Sequence, residues 1–278
     1  MQGGRGGKKN VKSMNKDYLY HYTGLTNLEK ILTGKRVRLM ATRYGFFSDK
    51  LEFVWAQSHI EPHLPSIAEK AGMTYDPEHK VHAYVTSLSN LEDNLNMWRL
   101  YGHDGMGISL IFDKEKLEEY VRNNVTGQFI AAMPVSYAND DNLSKVITDT
   151  YKLFVDNYGS VNDICNDVCE AMAFVKSENY RSESEYRLAR FVYDGFYVKL
   201  DKNTNQPITE DFDEYPKEIK FRTRGEELVP YMEIELPAKL LTGICVGYGC
   251  DFERTKKAIE LYCTAHNYDV EIKKSLIK

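Results

Sequence analysis

The stretch YRSESEYRLARFVY, Tyr180 to Tyr193, carries a structural signal and a chemical one together. From Glu185 onward it alternates and is rich in aromatic residues, which predicts a strand. At its start Glu183 and Glu185 flank a single serine, and side chains two apart at a strand edge point to the same side. Two carboxylates so placed repel each other and resist joint ionisation unless water or cations stand near. The competing reading is a solvent-facing edge, with Arg181 and Arg187 as salt-bridge partners of the glutamates.

Working outward, further strands follow in GFYVKL, EIKFRTR, LVPYMEIEL and TGICVGYG, then a helix ERTKKAIELYCTAH and a strand DVEIKK. The first half holds strands DYLYHY, RVRLM, VHAYVTSLS and MGISLIF, with a helix over SDKLEFVWAQSHI and one or two helical turns at NLNMWRLYG. Thr26 and Glu29 have the T-x-x-E spacing of a capping box, and Gly34 reads as the stop of that short helix. Amphipathic helices, including SKVITDTYKLFVDNY and VNDICNDVCEAMAFV, fill a helical insertion at about 114–176. Strands cluster late and do not alternate regularly with helices, so the fold class is α+β, with 17–278 as one domain.

The 278 residues carry 36 Lys and Arg against 41 Asp and Glu, a net charge of −5 that argues against a broad duplex-binding surface. The exception is residues 1–16, Gly-rich and basic, which read as a flexible arm or leader. With no apolar run near the ~20 residues of a membrane helix and no signal-peptide core, the expectation is a cytoplasmic protein with no membrane partner. Five cysteines without CxxC pairs read as reduced thiols, Cys165 and Cys169 sharing a helix face as core, and no metal is expected.

Two more signals precede the glutamates. In LYHYT, His21 interrupts an aromatic strand, where a histidine is more often packed than catalytic. In VTSLS, Thr86, Ser87 and Ser89 end an apolar strand and are followed by Trp98 and Tyr101; hydroxyls beside aromatics suit a ligand with a flat ring and sugar hydroxyls.

In that order, a histidine, a hydroxyl-bearing strand and an E-x-E resemble the H, S/Y and E motifs of the ADP-ribosyltransferase superfamily. More closely, the chain is similar to an uncharacterised bacterial family grouped with it. The matches are Leu19 to Thr23; Phe47, Asp49 and Glu52; Ser87 to Ser89; Trp98 to Gly102; Lys176, Tyr180 and Glu183 to Arg187; Pro230-Tyr231; and Ile244 to Gly247. Ser48-Asp49-Lys50 and Gly247-Tyr248 depart from the N-D-P and G-P of that pattern.

The resemblance implies a split β-sheet core and an NAD+-dependent ADP-ribosyltransferase, with NAD+ as co-substrate and a nucleic acid or protein as acceptor. Glu185 would stabilise the oxocarbenium-like sugar, Glu183 would orient or deprotonate the acceptor, and His21, Tyr22 and Thr23 would hold the ribose and the nicotinamide amide. Ser87 would buttress Glu185, while Tyr84, Trp98 or Tyr101 would stack on nicotinamide. Arg187 would pair with a phosphate or with a glutamate. The resemblance further implies a toxin or phage-defence role, with an antitoxin as partner; the alternative is an inactive binding or scaffold module of the same fold.

Overall fold

The computed structural model describes residues 17–70, 81–123, 129–158, 170–193, 196–200, 207–211 and 218–278. The basic arm 1–16 and the Cys165–Cys169 stripe lie outside the described residues. In chain order the first elements are β1 (Tyr18–Thr23), α1 (Leu28–Ile31), β2 (Leu32–Thr33), β3 (Arg36–Arg43), α2 (Lys50–His59), α3 (Leu64–Lys70) and β4 (Val81–Ser89). Next come α4 (Leu95–Tyr101), β5 (Ile108–Asp113), α5 (Lys114–Asn123), β6 (Ala131–Pro134), β7 (Ser136–Ala138), α6 (Leu143–Tyr158) and β8 (Val175–Ser177). The remainder is β9 (Glu185–Tyr193), β10 (Phe196–Leu200), β11 (Pro207–Asp211), β12 (Lys220–Arg224), β13 (Glu227–Pro237), β14 (Leu241–Val246), α7 (Phe252–His266) and β15 (Glu271–Lys274).

The architecture is α+β: among the described residues there is one 13-stranded sheet in which only β14 and β15 run parallel, accompanied by helices and a two-stranded pair of β7 with β8. β9 is its spine, buried along its whole length. Tyr186, Leu188 and Val192 enter the core shared with β3, β5 and β14, whereas Ala189, Phe191 and Tyr193 enter a second one with Phe154 and Phe174. Each large apolar side chain so buried contributes about 1.5–3 kcal/mol. A strand clad on both faces reads as continuously apolar, and its charged members must find partners inside.

The sheet divides at β4. β9 runs along one edge of β4 from Val81 to Ser89. On the other edge β3 pairs only at Tyr84 and Val85, and β1 joins only through Tyr20 opposite Ser89. Among the described residues no strand lies on that edge between these contacts, so β1, β5, β14 and β15 swing away as a second half-sheet. The opening lies beside Thr86–Leu88.

Local structure departs from expectation in three places. The capping box is not made: Leu25–Asn27 is a 3-10 turn with Gly24 as its cap, and the Asn27 side chain donates to Thr23 Oγ1 at 2.9 Å. Gly34 does not stop a helix but takes φ +63° in the turn between β2 and β3, a conformation glycine adopts without strain. The segment 114–176 is not purely helical, because β6 pairs with β9 and β7 with β8. None of the described helices is long and apolar enough to cross a membrane.

Candidate functional site

Both glutamates of the E-x-E converge on one lysine, though not by strand alternation. Glu183 ends a 3-10 helix, Glu178–Glu183, and Ser184 takes a left-handed φ of +45° before Glu185 opens β9. That kink aims both carboxylates at Lys176 of β8, whose Nζ lies 3.1 Å from Glu183 Oε2 and 3.3 Å from Glu185 Oε1. Glu52 of α2 supplies a third carboxylate at 3.1 Å. Arg187 closes the set: its Nε donates to Glu185 Oε2 at 2.8 Å, its Nη1 to the Ala173 carbonyl at 2.7 Å, and its Nη2 pairs with Glu52.

All five side chains are buried, from 1% exposed for Arg187 to 7% for Glu183. Three carboxylates face two cations, so with every group ionised the cluster carries one excess negative charge in a poorly solvated place. The two glutamates absorb this unequally. Burial raises Glu183 above the ordinary carboxylate range, Lys176 partly opposing and Glu185 adding to it. Burial also pushes Glu185 upward, but Arg187 and Lys176 outweigh it and the net shift is down. The two carboxyls are thus displaced in opposite directions, Glu183 up and Glu185 down.

The surroundings fix this geometry. Tyr101, at the end of α4 and 43% exposed, donates its phenolic hydrogen to Glu183 Oε2 at 3.0 Å. The Glu185 N–H donates to Tyr137 Oη at 2.8 Å, and Ser89 Oγ donates to the Glu183 carbonyl at 2.7 Å. The Lys176 ammonium stands 4.3 Å from the centre of the Tyr180 ring, whose hydroxyl donates to Asp49 Oδ2 at 2.6 Å. That hydrogen bond, ahead of other effects, depresses the Asp49 pKa.

His21 sits at the opening of the sheet. Its Nδ1 lies 3.0 Å from the Ser87 carbonyl, which can only accept, so Nδ1 carries the hydrogen and Nε2 is the basic nitrogen. Burial lowers its pKa, keeping the ring neutral at ordinary pH. Ser89 pairs with Tyr20 on one side and Glu185 on the other, so β1 and β9 stand two strand spacings apart here, about 10 Å.

Several expected ligand contacts belong to the core instead. Tyr84 and Trp98 are fully buried, Tyr84 among the core residues of the face opposite Glu185. Trp98 packs edge-on against Tyr22 with centroids 4.9 Å apart, and its Nε1 donates to Asp93. The Tyr22 hydroxyl donates to the Leu91 carbonyl at 2.7 Å. Of the three aromatics expected to stack on a ring, only Tyr101 offers an exposed face. Arg187 is committed to glutamates and a carbonyl, and cannot reach a phosphate from there. Opposite Glu185 in the register stands Ser89; Ser87 faces Arg187. Thr23 is buried and accepts from Asn27.

A family model described as protein of unknown function (DUF2971) matches residues 97–188. The match takes in Tyr101, Lys176, Glu183, Glu185 and Arg187, and leaves His21, Glu52 and Ser87 outside it. No curated protein matches, and no solved structure does.

Sequence reading placed Lys176 and Glu52 in motifs without giving them a task, and missed Tyr137 and Asp93. A buried lysine leaves no periodic trace, while YRSESEYR already signalled that cations stood near two crowded carboxylates. A cleft lined by Leu25, Thr26, Glu29, Arg254 and Tyr262 runs between the β1–β2 connection and α7, and no candidate site residue lines it.

Proposed function

We propose that this chain is an NAD+-dependent ADP-ribosyltransferase acting on a macromolecular acceptor, nucleic acid or protein. One observation carries the reading: Glu183 and Glu185 converge on Lys176 on one side of β4, and from the split along the other edge of β4 His21 reaches the Ser87 carbonyl. Breaking the nicotinamide–ribose bond develops positive charge on the sugar, and a site with more carboxylates than cations stabilises that charge. Glu185, held ionised by Arg187 and Lys176, supplies the fixed negative potential. Glu183, one hydrogen bond from the half-exposed Tyr101, orients the acceptor or takes its proton. His21 presents Nε2 as an acceptor for a ribose hydroxyl, and Tyr101 gives the aromatic face.

The test is incubation with NAD+ carrying labelled ADP-ribose and, in separate reactions, protein, RNA and DNA acceptors, following both the label and free nicotinamide. Label on one acceptor class, with nicotinamide released in proportion, supports the reading. A protein that releases no nicotinamide overturns it.

A second reading has its own observation. Both Glu185 oxygens are taken by cations, as in a structural ion cluster that specifies packing in a module without turnover. For that reading Glu183→Gln changes stability and nothing else.

A further inference from the structure

Asp93 lies outside the glutamate cluster, yet more contacts meet there than an ordinary loop residue makes. It takes φ +41°, a left-handed conformation that aspartate tolerates better than most side chains. Its Oδ1 accepts from Trp98 Nε1 at 2.8 Å and from Ser275 Oγ at 2.6 Å, and its Oδ2 accepts from the Leu276 N–H at 2.6 Å. One carboxylate thus joins the middle of α4 to the segment that follows β15. Hydrogen bonds to an ionised acceptor are the stronger kind.

The segment is anchored at both ends of this contact. The Ser275 N–H donates to the Val246 carbonyl at 2.9 Å, and Ser275 is 3% exposed. Ile277 packs against the cluster of Tyr20, Tyr22, Met97 and Trp98 that carries α4 on β1. From the other side Tyr22 Oη accepts from the Asn94 N–H at 3.1 Å, and the Asn94 side chain caps α4. At the far end of this short helix is Tyr101, against Glu183.

We infer that Asp93 is a positioning residue, the clasp by which the Ser275–Ile277 segment holds α4 and so sets Tyr101 against Glu183. Resting on the proposed transferase reading, this makes the strand-following segment a determinant of the site's proton chemistry although it touches none of the reacting groups. The Tyr101 hydrogen bond lowers the Glu183 pKa against the burial that raises it. Loosening the clasp therefore moves the acidic limb of kcat to higher pH, in the same direction as Tyr101→Phe.

The experiment compares the parent with Asp93→Asn, Ser275→Ala, Ser275→Thr and Tyr101→Phe in nicotinamide release from NAD+ across pH. Asp93→Asn opposes an amide donor to the Leu276 N–H, and Ser275→Ala removes one donor. The expected result is a loss of about tenfold in kcat for each, the weight of one charge-assisted hydrogen bond, with KM for NAD+ moved far less. The acidic limb shifts upward, no further shift appears when either is combined with Tyr101→Phe, and Ser275→Thr restores the parent profile. A limb that stays in place in Ser275→Ala and Asp93→Asn while Tyr101→Phe moves it overturns the inference. If the parent shows no turnover the transferase reading falls, and the clasp is then judged by hydrogen exchange of the α4 amides and the Trp98 indole resonance. Faster α4 exchange with a displaced indole signal in Ser275→Ala upholds the clasp; unchanged exchange refutes it.

Discussion

The ammonium group of Lys176 stands 3.1 Å from Glu183, a distance at which removing the cation leaves a buried carboxylate without its charge partner. Three carboxylates depend on that lysine, and Arg187 reaches only two of them. Lys176→Met is expected to destabilise the fold by about 3–5 kcal/mol, the cost of breaking a buried pair from one side. Urea unfolding of the two proteins checks it; a loss under about 1 kcal/mol, in the range of an exposed ion pair, would show that the cluster is open to water.

The glutamates give stability opposite pH dependences. Glu185 has a lowered folded pKa, so its contribution is fully present above the unfolded carboxylate value of about 4.3 and is lost as pH falls through the lower folded value. Glu183 has a raised folded pKa, so the native state holds a proton that the unfolded chain has released. Its effect is a fall in stability as pH rises from about 4.3 through that higher value. Melting temperatures across pH should show Glu185→Gln flattening the acidic loss and Glu183→Gln flattening the fall on the other side; exchanged effects would reverse the directions of the two shifts.

The two aromatics of α4 should part company. Trp98 is fully buried, and Trp98→Ala is expected to cost about 3–5 kcal/mol in unfolding free energy. Tyr101→Phe removes only a hydroxyl from a half-exposed ring, about 0.5–1.5 kcal/mol, while lowering nicotinamide release. Calorimetry beside the turnover assay separates them, and equal stability losses would place Tyr101 in the core.

His21 is predicted to be the Nδ1–H tautomer and to stay neutral. Because burial lowers its folded pKa, its pairing is complete above the unfolded histidine value of about 6.5 and stability falls as pH drops below it. Nitrogen-15 resonances of the imidazole report the tautomer directly. An Nε2–H form would mean that the bond to Ser87 is absent in solution.

Much of the fold was legible because short-range rules governed it. β4 and β9 begin and end where alternation and turn residues put them, and α4 sits where NLNMWRLYG suggested a helical turn. The site was legible in its residue types but not in their directions. Tyr84 and Ser87 are three apart on one strand and so face opposite sides, information the alternation held but motif spacing ignored. Arg187 looked like a ligand contact because its partners, Glu185 nearby and Glu52 far off in sequence, meet only after the strand is enclosed on both faces. The capping box failed for a local reason, since Asn27 bonded back to Thr23 and the turn tightened to 3-10 geometry.

The most direct test of the central claim is nicotinamide release from NAD+ by the parent protein and by Glu185→Gln, with folding of both confirmed by their melting curves. Turnover in the parent that falls by at least about a hundredfold in the variant, as removal of a key charge from a preorganised site does, is the predicted result. A parent that cleaves no NAD+, or a folded Glu185→Gln that cleaves it at the parental rate, would contradict the account.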